Sequence, residues 1–156
     1  MKIRILTVGT RMPQWVEDGC RTYQQRLQGV QVVEWVEIPL AKRGKNTEPT
    51  KAMALEADAI EKAIRPNEHI VVLDVEGKAL STPALAKKLS GWQMARQNVT
   101  ILIGGPDVLD ASFRGGRYER LSLSTLTMPH PLVRLVLIEQ IYRGLMINAN
   151  HPYHRE

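Results

Sequence analysis

Two short runs constrain this chain most. Residues 69–75 (HIVVLDV) and Val99–Ile103 (VTILI) are almost continuously apolar and β-branched, and glycines cut each off: Gly77 after the first, Gly104-Gly105-Pro106 after the second. A strand with one wet face alternates apolar and polar residues, whereas a strand apolar throughout belongs inside a parallel sheet covered on both faces. Runs this short, bounded by turn residues, are strands rather than buried helices. The chain therefore reads as α/β, with its other elements alternating around these two.

The remaining segments fit that frame. Lys2–Val8 is a first strand stopped by Gly9, and Pro13 suits the start of a helix on which Trp15, Val16, Gly19, Cys20, Tyr23 and Leu27 follow helical spacing. Residues 30–38 make a second strand with Val30, Val32, Val36 and Ile38 on one face and Trp35 on the other. Residues 50–64 form a helix with Met53, Ala57, Ile60 and Ile64 on one side, and Thr82-Pro83 opens another that ends around 91–95. Residues 107–118 are read as a short helix and a turn, 120–123 as a short fifth strand, and 132–148 as the last helix. The expectation is one domain over 1–156: a mostly parallel five- to six-stranded sheet with helices on both faces.

Composition adds bounds. A net charge of +5 and a pI near 9.6 favour a polyanionic partner without saying anything of the fold. The lone Cys20 excludes an intramolecular disulfide and fits a reducing compartment. No stretch approaches the length of a membrane span or the pattern of a leader, so a cytoplasmic protein is expected. The last helix is apolar on several faces, including Leu132, Val133, Leu135 and Val136 as well as Leu137, Ile138 and Ile141. A helix needs only one apolar stripe to sit on a sheet, so a second cover is expected, most simply another copy in a two-fold dimer.

Ligands of open parallel sheets bind beyond the carboxyl ends of the strands. Three such ends carry suitable residues: Leu73-Asp74, Gly104-Gly105-Pro106, and the run from Ser122 to Met128. Within that run Leu123, Ser124, Thr125, Leu126, Thr127 and Met128 bear no charge, so they offer chiefly backbone donors and acceptors to a flat polar ligand such as adenine. Pro129-His130-Pro131 then fixes a bent loop that neither a helix interior nor a central strand could contain. GxGxxG after the first strand, GxxxxGK[ST] and GxSxG are all missing, and the four histidines lack metal-ligand spacing with the cysteine. Lys42, Arg43 and Lys45 around Gly44 are either a solvated basic turn or an arm that meets phosphates. The tail, NHPYHRE, holds groups that can stack on a base, clamp a phosphate and move a proton.

GGP at 104–106, LSLSTLTMPHPLVR at 121–134, AKRGKN at 41–46 and the terminal NHPYHRE together resemble the RlmH family of SPOUT methyltransferases, over essentially the whole chain. The resemblance implies a C-terminal trefoil knot, which general topology rules would not suggest. It also implies a homodimer that uses S-adenosylmethionine to methylate N3 of a pseudouridine in 23S ribosomal RNA, on the large subunit or the assembled ribosome. Leu73, Gly104 and residues 123–128 would be the cofactor pocket, with Met128 standing where the family has leucine. His154 would assist loss of the N3 proton, Tyr153 would stack on or orient the base, and Arg155 and Arg143 would hold phosphate or uracil oxygen. His130 would shape the loop. No metal is implied, and whether Arg114, Arg117 and Arg120 meet RNA is left open. The rival reading is a non-catalytic ribosome- or RNA-binding protein with a vestigial pocket.

Overall fold

The computed structural model describes residues 1–156 except 43, 47, 105–110, 114 and 156, and leaves aside the side chains of 111 and 154. Five strands, β1 (Lys2–Val8), β2 (Val32–Ile38), β3 (His69–Ala79), β4 (Val99–Ile103) and β5 (Glu119–Ser122), form one sheet in the order β2-β1-β4-β3-β5. Every pairing is parallel. The helices are α1 (Gln14–Arg26), α2 (Pro49–Ala63), α3 (Thr82–Met94) and α4 (His130–Asn148), with 3-10 turns at Ala111–Phe113 and Pro152–Arg155.

Strand order explains the layering. The steps from β1 to β2 and from β3 to β4 run one way across the sheet, and the step from β2 to β3 runs the other. Right-handed crossovers then put α1 and α3 on one face and α2 on the other. The core follows suit. Ile3, Ile5, Val71 and Ile101 pack with Leu27, Leu85, Leu89, Leu137 and Ile141 on one side, while Leu6, Val72 and Leu102 pack with Ala57, Ile60 and Phe113 on the other. β1 and β4 are buried almost end to end, and Arg4, Thr7 and Thr100 are buried in them along with the apolar residues. α4 lies between α1 and α3. A Cβ at Gly19 would fall 2.7 Å from Leu135, so glycine there lets α1 close on α4.

Four local expectations are corrected. β2 begins at Val32, and Val30 and Val32 are exposed at the sheet's edge, so the inward faces carry Val33 with Trp35 and Val36 with Ile38. Trp15 is 58% exposed; α1 turns Val16, Cys20, Tyr23 and Leu27 inward instead. Gly77 lies within β3 rather than turning it: pairing with β5 shifts between Leu73 and Lys78, and a Cβ at Gly77 would come within 2.8 Å of the backbone of Arg120 and Leu121. A bulge, not a turn, is what that glycine permits. Finally, α4 starts at His130, inside the Pro-His-Pro run, because the first helical turn needs no N–H from Pro131 and Pro129 serves as the N-cap.

The knotted path implied by the resemblance runs partly through residues 105–110, which lie outside the described ones. Of the short helix and turn expected over 107–118, the described residues show the 3-10 turn at Ala111–Phe113 and a turn at 116–117.

Candidate active site

The carboxyl ends of β3 and β5 enclose a cleft of about 80 Å³ lined by Leu73, Asp74, Val75, Ser122, Leu123, Ser124, Leu126, Met128 and Val133. The β3 bulge makes one wall. Asp74 Oδ1 accepts from the Glu76 N–H at 3.0 Å, and Oδ2 accepts from Arg120 Nη2 at 2.7 Å. That pair ties β5 to the bulge, and the Asp74 side chain is only 10% exposed. The opposite wall is the loop after β5, braced by its own serines: Ser122 Oγ donates to the Ser124 carbonyl and Ser124 Oγ accepts from the Leu126 N–H, both at 2.9 Å. Leu126 is 73% exposed and Val75 65%, so two apolar side chains flank the mouth.

Of the expected cofactor residues, Leu73, Leu123, Ser124, Leu126 and Met128 meet in this cleft. Thr125 and Thr127 lie on the exposed part of the loop, and Gly104 ends β4 alongside His130. Asp74, Val75, Ser122 and Val133 join them. Asp74 and Ser122 are foreshadowed by their places at the strand ends; Val75 and Val133 are ordinary apolar residues until the fold is known.

At the head of α4, Arg134 is buried, its Nη2 donating to the Gly9 carbonyl at 2.6 Å, Nε to His130 Nε2 at 3.1 Å and Nη1 to Glu37 Oε2 at 3.4 Å. Beside it a second cleft of about 310 Å³ lies between α1 and β2, lined by Met12, Val16, Cys20 and Trp35 with Arg134 and Glu37. Burial pushes the Cys20 thiol up, against the pull of the Arg134 charge, which leaves it a poor nucleophile.

The tail residues form a separate cluster. Tyr153 is buried, and its hydroxyl lies 3.1 Å from both Tyr23 Oη and Glu139 Oε1. Tyr142 meets its ring edge-on at 4.7 Å, and the Arg143 guanidinium sits 4.9 Å from the ring centre while bonding Glu139 at 2.8 Å. Burial first, then the Tyr23 hydrogen bond and the Glu139 charge, push the Tyr153 phenol far above its usual range, so it stays protonated. Arg143 and Tyr153 are thus brought together; Arg155 is exposed and the His154 side chain lies outside the described ones. Glu139, which Tyr153 bonds, follows Val133 of the cleft by six residues, roughly 9 Å along the helix.

Among the basic residues, Lys42 and Lys45 are exposed, while Arg43 and Arg114 lie outside the described residues. Arg117 bonds Glu61 at 3.2 Å and Arg120 is engaged with Asp74.

A parallel α/β sheet with a looped cleft at its carboxyl edge and an apolar terminal helix agrees with what sequence comparison finds. The profile of the family described as "Predicted SPOUT methyltransferase" matches residues 1–154, and the chain belongs to the SPOUT methyltransferase family. Curated relatives narrow the class. One, "Ribosomal RNA large subunit methyltransferase H" of Saccharophagus degradans, is 52% identical over 155 residues, covering 99% of this chain and 100% of the relative. A protein of the same name from Acinetobacter baumannii is 47% identical over 158 residues, covering 99% of each.

Proposed function

We propose that this chain is a methyltransferase of large-subunit ribosomal RNA that transfers a methyl group from S-adenosylmethionine to N3 of a pseudouridine in 23S RNA. What carries the reading is full-length similarity to relatives of that name, joined to a cleft in which Leu73, Leu123, Ser124, Leu126 and Met128 of the expected cofactor residues meet. Leu73, Gly104 and residues 123–128 would hold the cofactor, whose sulfonium supplies an activated methyl group. The residues present fit such a group. Leu73, Leu123 and Met128 give the cleft apolar surface for a flat ring, the uncharged 123–128 loop offers backbone groups to its polar edge, and Leu126 and Val75 can close over it and exclude water. Small-molecule sites usually span ~300–1,000 Å³, so the 123–128 loop must yield on binding.

Displacement at a sulfonium methyl is in line, so positioning is the main task, and alignment of two reactants can supply roughly 7–11 kcal/mol of the barrier. Tyr153 anchors the tail to Glu139, further along α4 than the cleft's Val133. In a homodimer the tail of one subunit would serve the cleft of the other, and the half-buried Leu132, Val136 and Ile147 of α4 supply apolar surface for that contact. His154 would accept the N3 proton, while Arg155 and Arg143 hold phosphate or uracil oxygen. Tyr153, its ring already covered by Arg143 and Tyr142, would orient the substrate indirectly by anchoring the tail. Among the described residues no helix is long and apolar enough to cross a membrane, and a ribosomal substrate places the work in the cytoplasm.

The direct test is transfer of labelled methyl from S-adenosylmethionine to ribosomes with and without their pseudouridines. Label on the pseudouridine-containing ribosomes alone is expected; label on neither, despite cofactor binding, would remove that acceptor. Deleting residues after Asn150 should abolish transfer while leaving cofactor affinity near normal, and unchanged turnover would take the tail out of the mechanism.

A further inference from the structure

His130 has two ring nitrogens in unlike situations. Nε2 lies 3.1 Å from Arg134 Nε, and a guanidinium can only donate, so Nε2 must present its lone pair. In the neutral ring the proton is then on Nδ1. Arg134 cannot swing away to release this choice: its side chain is only 5% exposed and is held by the Gly9 carbonyl at the end of β1 and by Glu37 at the end of β2. Nδ1 is buried and finds no hydrogen bond of good geometry among the described residues, while the backbone of Gly104, the expected cofactor residue after β4, lies close enough to pull on it. Burial first and the Arg134 charge second pull His130 below its ordinary range, with the Gly104 backbone pulling the other way. A buried donor without a partner is costly, and native proteins seldom leave one without a use.

We propose that His130 is a further cofactor-binding residue whose Nδ1–H donates to a polar group of the bound methyl donor beside Gly104, and that Arg134 is its positioning residue, fixing the tautomer through Nε2. The pairing explains why a cation sits in the apolar stretch PLVRLVLI, one turn into α4. It also gives the Pro-His-Pro run a function besides its bend. Pro129 and Pro131 hold the imidazole at the helix head, where the ends of β1, β2 and β4 converge on it through Arg134 and Gly104. This inference rests on the cofactor reading above, but its first test does not need the cofactor.

Imidazole nitrogen spectra of histidine-labelled protein, recorded at about pH 8, well above the ordinary histidine value, report the tautomer directly. The His130 signals are identified by their loss in His130→Asn. Protonation at Nδ1 in the wild type, lost to a tautomer mixture in Arg134→Lys, is expected; a wild-type ring protonated at Nε2 overturns the proposal. The second test compares two amide replacements, since asparagine places its N–H₂ near the Nδ1 position and glutamine near Nε2. His130→Asn should bind S-adenosylmethionine within a few-fold of wild type, whereas His130→Gln should bind about tenfold more weakly, the loss of one hydrogen bond. Equal affinities for the two variants would overturn the donor role. A wild-type protein that binds no S-adenosylmethionine would instead overturn the cofactor reading beneath it, with the tautomer still deciding the Arg134 pairing.

Discussion

The two ends of the sheet handle charge differently. At the amino end, Arg4 of β1 donates to Glu68 at 2.9 Å and to the Ala63 carbonyl at 3.1 Å, and Thr100 of β4 adds a 2.6 Å bond to the same carboxylate. Those charges, 4% and 6% exposed, close on each other. Nearby, His69 and Lys88 both bond Glu119. At the carboxyl end, Arg134 is as deeply buried, yet its carboxylate partner stands at 3.4 Å and is 42% exposed. There too His130 Nδ1 lacks a well-formed hydrogen bond among the described residues, the β3 ladder slips, and the loop walls a cleft. The amino end pairs its buried cation with an equally buried carboxylate and acts as framework, although Arg4 Nε keeps no partner among the described residues. The carboxyl end pairs its buried cation with a part-exposed carboxylate and carries a cleft, and the carboxyl ends of strands are where a parallel sheet places its ligands.

The largest effect that would break this contrast is at the framework end. Arg4→Met leaves the Glu68 carboxylate buried without its cation, and breaking a buried pair this way costs about 3–5 kcal/mol. Urea unfolding should show that loss, while cofactor affinity of the folded protein stays at the wild-type value. A cost below about 1 kcal/mol, or a matching loss of affinity, would remove the distinction between the ends.

Gly77→Ala should act on both ends of the argument at once. The added methyl meets the β5 backbone at 2.8 Å, and overpacking of this kind costs about 1–3 kcal/mol. Because the bulge is also the cleft wall, cofactor affinity should fall alongside stability. Normal affinity in a destabilised variant would show that the bulge serves only the ladder.

That glycine also marks how far the sequence could be read. The two apolar runs placed β3 and β4 and hence the parallel sheet, because burial on both faces leaves an unmistakable composition. Gly77 was read as a turn because the local signal for a turn and a bulge is the same residue; only the approach of Arg120 and Leu121 from β5 separates them. The cofactor residues are legible as strand ends and as an uncharged loop, whereas Val133 is not, since it enters the cleft only through the packing of α4. Arg134 was visible as a cation in an apolar helix, but its partners come from residues 9, 37 and 130, a convergence no spacing rule contains.

Tyr153→Phe sharpens the comparison at the tail. It removes the hydroxyl that reaches Tyr23 and Glu139, at a cost of about 1 kcal/mol for an ordinary hydrogen bond. Methyl transfer should fall by more than stability does, with cofactor affinity unchanged, because the tail is proposed to act on the partner subunit's substrate rather than on the cofactor. Transfer at the wild-type rate would leave the tyrosine with a packing role alone.

The smallest effect concerns Glu119. Burial by itself would lift this carboxyl, but the hydrogen bonds from Lys88 and His69 outweigh it and hold the group below its ordinary range. A carboxyl depressed in the folded state stabilises the fold at pH values above the unfolded value, and that contribution is lost as the pH falls through the folded one. The difference in urea midpoint between wild type and Glu119→Gln should therefore be present at neutral pH and shrink in acid. Since the pair is partly exposed, it should stay under about 1 kcal/mol and weaken with salt. A difference that instead grew as the pH dropped would mean that Glu119 is governed by burial rather than by its hydrogen bonds to Lys88 and His69, and the framework role of this end would be lost.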